Sequence, residues 1–91
     1  MITKARAEPR SSSYSWPDEI CGDPVSELAR RFVMNLRAVV GARSLSEIET
    51  ITGVGPATLS RILNGHAWPD GYTIARLEIR LGVHLWPATT G

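Results

Sequence analysis

Apolar residues recur three and four positions apart through most of the chain, the spacing of one helix face. From Val25 the stripe runs through Leu28, Phe32, Leu36 and Val39, widened by Val33 and Val40, while Arg30, Arg31 and Arg37 take other faces. Asp23-Pro24 opens this first helix, an acceptor side chain followed by a residue with preset φ and no amide hydrogen, and Gly41 ends it near residue 40. Ser44-Leu45-Ser46-Glu47 reads as a capping box in which Ser44 caps the third amide and Glu47 reaches back. The second helix is therefore predicted from 45 to about 52, with Gly53 placed for a left-handed turn. Gly55-Pro56 starts a third helix that buries Leu59, Ile62 and Leu63 and closes at Asn64-Gly65, so that it spans 56–64. Asp70 caps a fourth, with Ile74, Leu77, Ile79 and Leu81 apolar and Gly82 as its stop. Period-two alternation and hairpin dipeptides are missing, so the fold class is all-α, a small domain of four to five helices.

The two ends read differently. Residues 1–22 are rich in Ser, Pro and charge, carry Ser11-Ser12-Ser13, and have no sustained apolar period, which predicts a flexible N-terminal arm. Tyr14 and Trp16 are its exceptions: aromatics of that size either dock on the domain or a partner, or stay free, and the sequence leaves both open. Deleting residues 1 to 20 is expected to spare the fold. The domain proper is 23–87, with Val83-His84-Leu85-Trp86-Pro87 turning back over the core, Trp68 and Trp86 as lids, and 88–91 fraying.

Ninety-one residues and 9.9 kDa allow one small domain. An apolar fraction of 43% and a mean hydropathy of −0.07 suit a soluble chain, and no apolar run approaches the roughly 18 residues of a membrane span. The polar start lacks the apolar segment of a secretory signal, which predicts a cytoplasmic protein. A single cysteine, Cys21, forms no internal disulfide, and with His66 and His84 beside it there is no zinc ligand set, so neither metal nor cofactor is expected. Nucleophile elbow, phosphate loop and paired-acid signatures are all missing, which argues against an enzyme and against a small-molecule substrate. The net charge of +1 hides an unusual basic set, nearly all arginine, which favours planar bidentate contacts. Charge by itself is too weak to announce nucleic-acid binding.

Only Gly53, Val54 and Gly55 join the second and third helices, too few for an antiparallel hairpin but enough for two helices meeting at a steep angle. The run Ile48-Glu49-Thr50-Ile51-Thr52-Gly53-Val54-Gly55-Pro56-Ala57-Thr58-Leu59-Ser60-Arg61-Ile62-Leu63-Asn64-Gly65 resembles the helix-turn-helix of the lambda repressor and Cro-like group of phage and bacterial regulators. The resemblance continues through Pro69, Ile74, Leu77, Leu81, Gly82 and Val83 without a gap. It implies a lambda-repressor-like domain, with the helix-turn-helix at about 45–64, whose partner is double-stranded DNA, bound as a homodimer on two half-sites. Residues Ile48, Ile51, Val54, Leu59 and Ile62 would lock the two helices so that the third projects into a major groove. Its outward residues Pro56, Ala57, Ser60 and Arg61 are then the base readers. Arg61 forks onto guanine O6 and N7, and Ala57 touches a thymine methyl. Phosphates would be positioned by Arg43, Ser44, Ser46, Gly55, Thr58, Asn64 and His66, and Lys4, Arg6 and Arg10 would supply arm contacts.

Three positions depart from that family's pattern. Leu45 stands where a glutamine is often found, which removes a backbone contact. Glu49 replaces a small alanine, so that its carboxylate must swing outward toward Arg61 or Arg43 or the helices separate. Pro56 removes a donor from the third helix. The function these features support is a DNA-binding transcriptional regulator, read as a phage or bacterial repressor. Two alternatives stay open: a protein-interaction module on the same fold, such as an antitoxin or transcription adaptor, and a DNA-bending recombination or excision cofactor.

Overall fold

A computed structural model of the chain describes residues 6–88, and among these every regular element is a helix. The order is a four-residue 3₁₀ helix, Pro9–Ser12, then α1 (Pro24–Val40), α2 (Leu45–Thr52), α3 (Pro56–Leu63) and α4 (Gly71–Leu81). The caps work largely as the sequence predicts. Asp23 Oδ2 accepts from the Ser26 amide at 2.9 Å, Ser44 Oγ from the Glu47 amide at 3.1 Å and Asp70 Oδ1 from the Thr73 amide at 2.7 Å. The Asp70 carboxyl is held below its ordinary range by that Thr73 amide. One detail differs: the Glu47 carboxylate accepts from the Ser44 hydroxyl at 3.4 Å, so the reciprocal half of the box is closed on a side chain.

One core gathers Phe32, Val33, Leu36 and Val40 of α1, Ile48 of α2, Val54 of the turn, Leu59 and Ile62 of α3, Leu77 of α4 and Leu85 beyond it. Burying each such side chain stabilises the fold by roughly 1.5–3 kcal/mol. The α1 stripe is rotated from the expected one. Ser26 and Ala29 are buried, whereas Val25 is exposed and Leu28 half-buried. Ser26 is buried with its hydroxyl donating to the Asp23 cap at 2.9 Å. Ile51 and Ile79, both expected in the core, are 40% and 77% exposed: Ile79 stands two residues from the buried Leu77 and so about 200° round the helix, whereas Ile51 lies at the edge of the face that Ile48 buries.

After α4 the chain turns back as expected. Glu78 Oε2 accepts from the Leu85 amide at 2.7 Å and the Trp86 amide at 3.0 Å, and Asn35 Nδ2 donates to the Leu85 carbonyl at 2.8 Å. Those two amides, Trp86 foremost, hold the Glu78 carboxyl below its ordinary range. Trp86 lies on Phe32 with ring centroids 5.6 Å apart, a lid on the core. Trp68 is no core lid: its indole N–H donates to the Ala7 carbonyl at 2.7 Å.

That bond introduces the largest departure. Residues 6–22, which the polar composition assigns to a mobile arm, are held against the helices. Pro9, Pro17 and Cys21 are buried, and Trp16 packs on the core. Glu27 of α1 accepts from the Cys21 amide at 2.9 Å, and Arg30 donates to the Pro17 carbonyl at 3.0 Å while pairing with Glu27 at 2.8 Å. The Arg30 bond in turn holds the Glu27 carboxyl below its ordinary range. Tyr14, by contrast, is fully exposed. Residues 1–5 of the expected arm and 89–91 of the expected fraying end lie outside the described residues.

Candidate nucleic-acid interface

The bend between α2 and α3 is built from three residues and one remote side chain. Gly53 adopts φ +78°, a left-handed conformation, and its amide donates to the Glu49 carbonyl at 2.7 Å. Thr52 Oγ1 donates back to the Ile48 carbonyl at 2.7 Å and accepts from the Val54 amide at 3.1 Å, so this fully buried hydroxyl pins the turn. Arg76 of α4 donates from Nε to the Thr52 carbonyl at 2.7 Å and from Nη1 to the Tyr72 hydroxyl at 3.0 Å. A guanidinium thus sits on the negative end of the α2 dipole. A β-carbon at Gly53 would lie 2.7 Å from Arg76 Nη2, a second reason for glycine there.

With the bend fixed, α3 turns Leu59 and Ile62 inward and leaves Ala57, Thr58, Arg61 and Asn64 exposed, one face at helical spacing. Pro56 and Ser60 are half-buried at its edge. Gly55 caps the helix without a side-chain acceptor, which leaves the Ala57 and Thr58 amides pointing forward from a positive dipole end. The contacts of basic side chains with carboxylates among the described residues are Arg10–Glu8, Arg30–Glu27, His66–Glu8 and His84–Glu78, so Arg61 and Arg43 hold no carboxylate partner there. Arg61 also lines a shallow groove of about 220 Å³ with Thr58, Trp68 and Thr73.

Other predicted contact residues are already engaged. Ser44 spends its hydroxyl on the α2 cap, and Asn64 Nδ2 donates to the Ser60 carbonyl at 2.8 Å and to its hydroxyl at 3.3 Å. His66 Nδ1 lies 3.5 Å from Glu8 Oε1, which also takes the Arg10 Nε at 3.0 Å. That Arg10 bond is the main reason the Glu8 carboxyl sits below its ordinary range. Ser46 is exposed at the start of α2, and its carbonyl accepts from Thr50 Oγ1 at 3.1 Å. Arg6 stacks with its guanidinium carbon 5.7 Å from the Trp68 ring centre, and Lys4 is outside the described residues. Glu49 is exposed, its carboxylate swung outward as expected but paired with neither Arg61 nor Arg43: its Oε2 would meet a Gly55 β-carbon at 3.5 Å, leaning toward the positive end of α3.

Sequence reasoning missed Thr52, Arg76 and the part played by Trp16. A threonine at the last helical position before glycine is a local signal for the first. Arg76 acts across 24 residues of chain and leaves no local signal.

Two short helices joined by a three-residue glycine turn, the second with its inner face buried and its outer face open, define a helix-turn-helix DNA-binding domain. The chain belongs to the helix-turn-helix family of lambda repressor and Cro-like type, whose family model matches residues 40–85, just over half of its length. Among curated proteins and solved structures, none matches. The protein is accordingly a DNA-binding helix-turn-helix regulator. Among the described residues no helix is long and apolar enough to cross a membrane.

Proposed function

We propose that the protein is a sequence-specific transcriptional repressor of phage or bacterial type that lays α3 in the major groove of double-stranded DNA at the nucleoid. The observation that carries this reading is the unpaired, exposed Arg61 on the outer face of a helix whose inner face is locked into the core. In that reading Arg61 forks onto a guanine, Ala57 meets a thymine methyl, and Pro56 and Ser60 flank them. The Ala57 and Thr58 amides above Gly55, with the Thr58 and Ser46 hydroxyls and Arg43, grip phosphates. His66 and Asn64 join after exchanging their present partners, and Ser44 contributes through the helix end it caps. Arg6 and Arg10 approach the backbone beside α3, and Lys4, outside the described residues, is a further cation proposed for the same contact. Two copies on half-sites about one DNA turn apart supply the affinity that so small a footprint lacks.

A protein partner is the second reading, and Glu49 favours it. Its carboxylate leans over the start of α3, where a phosphate would otherwise sit, and an anion there opposes DNA. Salt separates the two readings. Phosphate contacts make affinity fall steeply with salt, whereas an apolar protein interface does not. Selection of bound sequences from a random pool, followed by salt titration on the best site, is expected to return a motif in inverted repeat with a steep salt slope; a set of repeated sites with pronounced bending would instead mark a recombination cofactor.

A further inference from the structure

An eight-residue helix has few internal bonds, and its last four carbonyls need partners from outside the regular pattern. In α3 each of them is accounted for. The Ser60 carbonyl accepts from the Asn64 amide at 3.0 Å, Arg61 from the His66 amide at 2.9 Å and Ile62 from the Gly65 amide at 3.1 Å. The last, Leu63, accepts from the indole N–H of Trp16 at 2.9 Å, 47 residues away in sequence. Two residues further on, the Arg10 amide donates to the Gly65 carbonyl at 3.2 Å.

The contact is closely fitted from both sides. Gly65 has φ +72°, and a β-carbon on it would lie 2.6 Å from the Trp16 ring and 2.7 Å from the Arg10 β-carbon. Trp68, just after the helix, donates its own indole N–H back to Ala7 at 2.7 Å, so residues 7–16 are tied at both ends by indole bonds running in opposite senses. Between those ties Pro9 is fully buried. This segment lies outside the stretch 40–85 that defines the family membership.

We infer that residues 7–16 are a clamp on the C-terminal end of α3, and that Trp16 is a positioning residue for Arg61, which sits in the turn the clamp closes. The inference rests on the reading of α3 as the base-reading helix. Arg61 reaches a base edge only if its backbone is held, because a fork of two hydrogen bonds tolerates little displacement. Nonspecific binding, carried by charge on phosphates, tolerates more. Loosening the clamp therefore affects base discrimination before it affects general DNA affinity.

The test uses the full chain with Trp16→Phe, which keeps a ring in place but removes the N–H donor, and Gly65→Ala, which wedges the same contact from the helix side. Amide hydrogen exchange is read residue by residue, and affinity is measured on the selected site and on unrelated DNA at a temperature where each variant is folded. The clamp predicts that the Leu63 to His66 amides exchange about tenfold faster or more while the Phe32 to Leu36 amides of α1 are unchanged. It also predicts that specific affinity falls about tenfold while nonspecific affinity stays within about twofold. Unchanged exchange at the end of α3, or equal losses on both DNAs, overturns it. If the wild-type chain selects no sequence, the reading of α3 as a base reader fails, and the clamp on the helix end is still decided by the exchange rates.

Discussion

At the level of single residues, the molecule divides polar side chains into those that hold the bend and those left for a partner. Arg61 and Arg76 are both helical arginines, and sequence spacing alone marks only the first as outward. The second spends its guanidinium on the Thr52 carbonyl and the Tyr72 hydroxyl. Their replacement is expected to act differently. Arg61→Ala should leave the melting temperature within about 2 °C and cost roughly 1–3 kcal/mol of specific DNA binding, measured by fluorescence anisotropy on the selected site. Arg76→Ala should instead destabilise the fold by about 1–3 kcal/mol in urea unfolding, because it strips the partner from a buried helix end and opens space beside Gly53. Much of the outer face of α3 was legible because Leu59 and Ile62 fix its phase. What stayed illegible was whether an outward polar group was spare: the contacts of Asn64 and His66 depend on neighbours brought in by folding.

Among the elements, the helices were legible because each begins at a side-chain acceptor or a glycine followed by proline, and each closes at or beside a glycine. Those signals are local, so folding did not override them. The segment 6–22 was not legible for the opposite reason. Its polar residues look outward while a few apolar ones, Pro9, Trp16, Pro17 and Cys21, anchor it at irregular spacing that no periodicity detects. The sequence expectation that removing residues 1 to 20 spares the fold is accordingly replaced by its reverse. Deletion is expected to cost at least about 3 kcal/mol, since Pro9, Trp16 and Pro17 leave together and the end of α3 loses a hydrogen-bond donor. Urea unfolding of the truncated and full chains compares the two directly, and equal midpoints would refute the docked segment.

Across the whole molecule, one small core carries the stability, and acid weakens its outer ties. Glu27 and Glu78 have carboxyls lowered from 4.5 by Arg30 and by the Trp86 and Leu85 amides respectively. A depressed folded value means that the stabilisation is complete above the ordinary value and disappears as pH falls through the lower one. The melting temperature is therefore expected to hold from about pH 7 to 5 and then fall through about pH 4 to 3, with Glu78→Gln flattening part of the drop. Within the core, Phe32→Ala should cost about 3–5 kcal/mol, enough to unfold much of so small a chain. The central claim, that this scaffold presents α3 and Arg61 to base edges, is tested most directly by selecting bound sequences from a random DNA pool with the wild-type chain and with Arg61→Ala in parallel. The expected result is a defined motif for the wild type, with a guanine position that loses its preference in the variant. An identical motif from both proteins, or no enrichment by the wild type, would contradict it.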